Sequence, residues 1–302
     1  MRSVYVKLTF SAIFWGVSAI AGKILLETIT PSQVTFLRFF IATLILCTML
    51  FIQNKEQFKV SFYEHIKLAI LGIVGIALCY YFYFQGLNLS TAFNAGLIES
   101  TIPLVTLALS VLIKEEKFDI TNAVGFIVAY IGVVIIVTKC DLSIILKSSY
   151  NSGDIMLIFG TLCFGLYNVL LKKFSFSFSS QNLKLFYIFM YGSIVLLPWL
   201  LFDNKANNLH WSFSIIDILC LSILSIGASV LSYVFFNEGI KKIGASKASS
   251  FINLVPIITV TLALLILKEE PNFSQIIGSV VILTGVYICQ SGVPFLLTKR
   301  SI

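Results

Sequence analysis

Ten apolar blocks of about 18–23 residues, separated by short polar punctuation, make up this chain. A helix needs about 20 apolar residues to cross bilayer hydrocarbon, whereas a soluble core uses shorter runs with amphipathic periodicity. The blocks are residues 5–26, 33–52, 66–87, 92–113, 121–138, 154–171, 183–202, 213–237, 246–267 and 274–297. Lipid offers the backbone no hydrogen-bond partners, so each block must be helical. Only 12% of the 302 residues are charged, against roughly a quarter in a soluble domain. The expected fold is an all-α polytopic membrane protein with ten transmembrane helices.

The basic residues set its direction. With a cytoplasmic N-terminus, fifteen of the 21 Lys and Arg fall on the cytoplasmic side, among them Arg2, Lys55, Lys114, Lys172 and Arg300. Four fall outside (Lys139, Lys147, Lys205, Lys268), and Lys23 and Arg38 lie within spans. That bias predicts two cytoplasmic termini. Abundant Phe, Ile, Lys and Asn fit an AT-rich bacterial genome, hence a bacterial cytoplasmic (inner) membrane. The net charge of +7 comes from these flanks and forms no aromatic-interleaved patch, so nucleic acid is not expected as a partner; membrane lipid is. Six scattered cysteines without a CxxC read as small buried hydrophobes. Arg2, Lys7 and the Ala19–Ala21 stretch resemble a cleavable signal peptide. The first block, however, shares its pattern with a later internal segment, which argues that it is retained.

Displaced by 153 residues, the second half of the chain falls on the first. Gly86 meets Gly239, Ala92 meets Ala245, Pro103 meets Pro256, Glu116 meets Glu269, Gly125 meets Gly278 and Gly132 meets Gly285. Nearer the front a shift of 149 pairs Gly16 with Gly165 and Lys23 with Lys172. The chain thus divides into two five-helix repeats, 1–140 and 150–302. Five is odd, so the second copy must enter from the opposite face. Such inverted repeats are the signature of secondary transporters, whose substrates bind near the midplane between the halves.

The paired "P…KEEKF…G…G" and "P…LKEEP…G…G" stretches, with "FWG" in the first span and "LRFFIA" in the second, resemble the drug/metabolite transporter superfamily. The closest branch is the EamA-like permeases, and the resemblance covers nearly the whole chain. It implies export or exchange of small organic molecules by alternating access. It also implies a cavity lined by the first, third, fourth, sixth, eighth and ninth helices. Arg38 matches an arginine often seen in the family's second helix. The position of Glu99 is usually uncharged there, so nothing about that residue is inherited.

On the fourth span Ala92, Gly96, Glu99 and Pro103 share one helix face; on the ninth Ala245, Ser249, Ile252 and Pro256 repeat it. Each proline cannot donate to the carbonyl four residues back, that of Glu99 or Ile252, so both helices should bend there. Glu99 lies about 10 Å from the outer end of its helix. An ionised carboxylate at such depth costs roughly 2.5 kcal/mol or more unless it pairs or faces water. Two readings stay open: a static pair with Arg38 or Lys23, or a site for a cationic group or a coupling proton. Arg38 itself reads as a structural anchor. The turns carrying Glu116 and Glu269 should cap the following helix or pair with lysine.

A cavity for amphipathic metabolites needs apolar walls with a few fixed polar groups. The expected substrate-binding residues are Trp15, Tyr80, Asn94, Glu99, Tyr167, Tyr233 and Asn253; Arg38, Pro103 and Pro256 are expected to be structural or gating. Enzymatic chemistry lacks its parts, since His65 and His210 lie outside the spans and no HExxH or GxSxG occurs. No P-loop is present, and no cofactor or metal is expected. A membrane scaffold would need neither inverted repeats nor a buried acid. Sugar-phosphate or nucleotide-sugar carriage would favour Lys or Arg in the cavity, and the interiors of spans six to ten offer none. The small-molecule substrate is therefore expected to be an amino acid or a related neutral, zwitterionic or cationic compound, with the proton as candidate coupling ion.

Overall fold

The computed structural model describes residues 2–53, 60–115, 120–140, 151–176, 180–203, 213–243 and 250–291. Among them every regular element is a helix. They gather into α1 (Arg2–Leu25), α2 (Pro31–Gln53), α3 (Phe62–Leu89), α4 (Ala92–Leu112), α5 (Ile120–Thr138), α6 (Ser152–Lys173), α7 (Gln181–Phe202), α8 (215–243), α9 (250–265) and α10 (Phe273–Ser291). Seven are long and apolar enough to cross a membrane, and the described parts of α5, α9 and α10 are shorter apolar helices. Val124, Ile127, Tyr130 and Ile131 of α5 and Ile194, Val195 and Leu201 of α7 lie on the exterior. Apolar surface on that scale suits hydrocarbon and not water. The chain is an integral membrane protein.

Local chemistry sets the helix starts. α3 begins earlier than its apolar block because Ser61 and Glu64 form a capping box, each side chain taking the other's backbone N–H. Ser214 and Asp217 do the same for α8. Both helices then widen into a π-helical stretch, Ile73–Leu78 in α3 and Ile223–Leu231 in α8. The fourth block, expected to be a single bent helix, is interrupted. Its first half ends at Glu99, a turn at Ser100 and Thr101 follows, and a second half restarts at Ile102 with Pro103 in its first turn. Among the described residues no backbone donor reaches the Glu99 carbonyl, as the missing N–H of Pro103 requires. In α9 a 3-10 turn, Ser250–Asn253, passes into the helix Leu254–Leu265 at the corresponding place. Glu116 and the side chain of Asn253 lie outside the described residues.

The helices pack in a pattern that crosses the two halves: α1 on α8 and α9, α6 on α3 and α4, α2 on α7, α4 on α9, and α5 on α10. Gly16 shows why small residues stand at the crossings. A Cβ there would lie 2.6 Å from Ile258 of α9, and one on Gly165 would lie 2.6 Å from Val105 of α4. Close approach of backbones is the main source of helix association in lipid. Gly132 and Gly278 serve the α5–α10 crossing alike, each facing the other's carbonyl.

Candidate functional site

The end of the bundle where α1 turns into α2, called here the first-loop end, is held by a dense polar mesh. Lys268 adopts a left-handed conformation (φ 51°) just after α9. The chain turns there, and Glu269 reaches the start of α4. Its two carboxylate oxygens accept the N–H groups of Ala92 and Phe93, each at 2.8 Å. Thr91 Oγ1 accepts the N–H of Asn94 at 3.0 Å, and the Thr91 carbonyl takes that of Ala95 at 3.1 Å. Three orphan donors of the α4 N-terminus, those of Ala92, Phe93 and Asn94, are thus met, with a negative charge at the positive end of the helix. The expectation that Glu269 caps the following helix is corrected: it caps α4, in the other half of the chain.

Asp154 of α6 is buried beside this cap and accepts from Ser90 Oγ and, at 3.0 Å, from Asn94 Nδ2. Asn94 Oδ1 in turn accepts from Gln275 Nε2 of α10 at 2.7 Å. Lys23 Nζ donates to the carbonyls of Leu87 and Ser90. Two further ties close the rim: Thr28 Oγ1 to Asp217 at 2.9 Å and Ser32 Oγ to Asp203 at 2.5 Å. Asn94 therefore sits in this mesh, apart from the other expected substrate-binding residues.

Deeper in the bundle the chemistry changes. Arg38 of α2 is 1% exposed, with its guanidinium carbon 4.6 Å from the Tyr80 ring centre, 5.1 Å from Phe39 and 6.0 Å from Phe84. Its Nε donates to Ser229 Oγ at 2.9 Å. Ser229 stands in the π-helical stretch of α8 and donates to the Leu224 carbonyl five residues back, at 3.0 Å. The wider turn also presents the Ala228 carbonyl, which accepts the Trp15 indole N–H at 3.0 Å. Such π turns recur at functional sites because they re-aim side chains and backbone oxygens.

Trp15 meets Tyr233 edge-on, with ring centres 5.6 Å apart, and Tyr233 meets Phe189 in the same way. Tyr167 of α6 is buried against Gly75 in the π stretch of α3, where any Cβ would collide with its ring. Glu99 is partly buried at the break in α4. It acts electrostatically on Arg38 of α2 and on Cys79, Tyr80 and Tyr83 of α3. It forms no hydrogen bond among the described residues, and no ion pair within 4.0 Å joins it to Arg38 or Lys23. The buried hydroxyls of Tyr83 and Ser225 are likewise unpartnered.

Five of the seven expected substrate-binding residues (Trp15, Tyr80, Glu99, Tyr167 and Tyr233) thus gather with Arg38 around the two π turns. Asn94 stands apart, and the Asn253 side chain is outside the described residues. Sequence reasoning missed Asp154, Gln275 and the cap role of Glu269, whose partners are remote in the chain. The capping-box serines Ser61 and Ser214 carried a readable signal, S-x-x-E and S-x-x-D.

The model of the EamA-like transporter family matches residues 3–138 and again 151–289. An uncharacterized transporter of Archaeoglobus fulgidus is 30% identical over 93% of this chain and 95% of its own. The uncharacterized transporter YyaM of Bacillus subtilis is 29% identical over 96% of this chain and 94% of its own. A solved crystal structure superposes with a TM-score of 0.64, covering 95% of this chain and 97% of its own. At 16% identity it is similar in fold alone.

Proposed function

Because the chain belongs to the EamA-like transporter family, we propose that it is a secondary transporter of small organic metabolites working by alternating access. Its substrates are amino acids or related neutral, zwitterionic or cationic compounds, exported or exchanged across a bacterial cytoplasmic membrane. Both termini are cytoplasmic, and the first-loop end faces the exterior.

Several observations support two inverted five-helix repeats, 1–140 and 150–302. Capping boxes, π turns and helix breaks recur at corresponding places in α3 and α8 and in α4 and α9. Gly16 meets Ile258 just as Gly165 meets Val105, and those four residues are counterparts under the sequence shift. Two copies related by a twofold axis in the membrane plane would pack in this way.

One observation carries the transport reading. Trp15, Arg38, Tyr80, Glu99, Tyr167 and Tyr233 converge from α1, α2, α3, α4, α6 and α8 on a region with unmatched polar groups. Buried polar atoms are nearly always paired in a static protein, and acids at membrane depth mark ion or substrate pathways. In this reading Glu99 binds a cationic group or the coupling proton, with Arg38, Cys79, Tyr80 and Tyr83 as the titratable or charged groups facing it. The mesh at the first-loop end closes the path on that side. One arginine opposite one acid makes a near-neutral site, which does not favour dianionic sugar phosphates.

The test is counterflow with purified protein in liposomes against a metabolite panel. Saturable, competed exchange of an amino acid or a relative is expected. Exchange restricted to phosphorylated sugars would replace the substrate class, and no exchange of any panel compound would end the transport reading.

A further inference from the structure

We infer that Arg38 is the residue that reads a carboxylate on the transported molecule, rather than an anchor for the helices around it. The inference rests on the transport reading above and assigns to Arg38 a specificity-determining role within that site.

A guanidinium has five N–H donors in a rigid plane. In Arg38 one of them, on Nε, is satisfied by Ser229. The other four have no acceptor among the described residues. An anchoring arginine at this depth would end on backbone carbonyls or on a carboxylate. Here Glu99, which acts electrostatically on Arg38, stays outside ion-pair distance. The guanidinium carbon lies over aromatic rings, 4.6 Å from the centre of Tyr80 and 5.1 Å from that of Phe39. Stacking holds the plane without consuming donors. What remains is the outer edge, two parallel N–H groups whose spacing matches the two oxygens of a carboxylate.

The surroundings narrow the ligand further. Glu99 faces the same guanidinium, so a single carboxylate leaves the site with one excess negative charge, which a cationic group on the same ligand offsets. A molecule carrying one carboxylate and one ammonium answers both residues. The Tyr80, Tyr233 and Trp15 rings then supply the apolar wall for its side chain. Ser229 sets the rotation of the fork through Nε, so the π turn of α8 positions the carboxylate reader.

The experiment uses detergent-purified full-length protein and measures thermal stabilisation by the twenty amino acids and by their carboxamides. Wild type, Arg38→Gln and Arg38→Lys are compared. The expected result is that at least one amino acid stabilises the wild type at a concentration at least about tenfold lower than its amide. That preference should collapse in Arg38→Gln and shrink in Arg38→Lys, which keeps the charge but loses the fork. A purely structural arginine would weaken acid and amide together. An acid-over-amide preference that persists in both variants, or that is missing in the wild type, overturns the assignment and leaves the transport reading standing. Stabilisation by neither acids nor amides removes the amino-acid reading itself. If Arg38→Gln does not fold, Arg38→Lys alone decides.

Discussion

The first-loop end and the centre of the bundle draw on the same residue types and use them in opposite ways. At the first-loop end each carboxylate named there meets donors: Glu269 takes two backbone N–H groups, Asp154 takes Ser90 and Asn94, Asp203 takes Ser32, and Asp217 takes Thr28 and the N–H and hydroxyl of Ser214. In the centre, Glu99 and the Arg38 donors other than Nε make no hydrogen bond among the described residues, and the Tyr83 hydroxyl is unmatched, as is the Gln33 amide nitrogen at the first-loop end. Membrane proteins tolerate unmatched polar groups only where a cavity, a ligand or a neighbouring chain supplies the partner. The carboxylates carry the contrast: those named at the first-loop end are met by donors, and Glu99 is not.

Breaking the first-loop mesh should therefore cost stability in proportion to the partners lost. Asp154→Ala strands two buried donors, and we expect a loss of about 3 kcal/mol, read from thermal unfolding in detergent. A loss under about 0.5 kcal/mol would mean that the mesh carries little of the closure. Glu269→Gln keeps one acceptor for the α4 N-terminus but loses the charge and one hydrogen bond. An effect of about 1.5 kcal/mol, a roughly tenfold larger open population, follows. Maleimide labelling of an Ile98→Cys reporter, in a background without native cysteines, should speed up by that factor, since Ile98 is 1% exposed in this structure. Unchanged labelling would detach the cap from the gate. The smallest effect belongs to Tyr83→Phe. Its hydroxyl has no partner to lose, so stability should stay within about 0.5 kcal/mol of the parent or rise slightly. A clear loss would show that the hydroxyl is matched after all.

How much of this was readable beforehand depended on the range of the interaction. The apolar blocks announced the helices because length and hydropathy are local. Gly16 and Gly165 are legible in the sequence as counterparts under the 149-residue shift, whereas their close approach to Ile258 and Val105 is visible only in the structure. Pro103 announced a break near Glu99, although the full interruption at Ser100 and Thr101 goes beyond a bend. The π turns were silent, since "IVGIAL" and "ILSIGASVL" read as ordinary apolar helix. The partners of Asn94 lie 60 and 181 residues away, so nothing local in the sequence marks it as part of the mesh. Glu269 was read locally for the same reason, and its true contact is 177 residues off. Polar pairs between distant helices leave no local trace.

The central claim is that the unmatched acid at the α4 break acts on the cargo or its proton. Flux of the exchanged amino acid into proteoliposomes, measured across a range of pH for wild type and Glu99→Gln, tests it most directly. Because Glu99 has no hydrogen-bond partner to lose, the variant should remain folded, with its unfolding temperature close to the parent's. Its flux should lose its dependence on pH. A folded variant with wild-type flux and a wild-type pH profile would contradict the account.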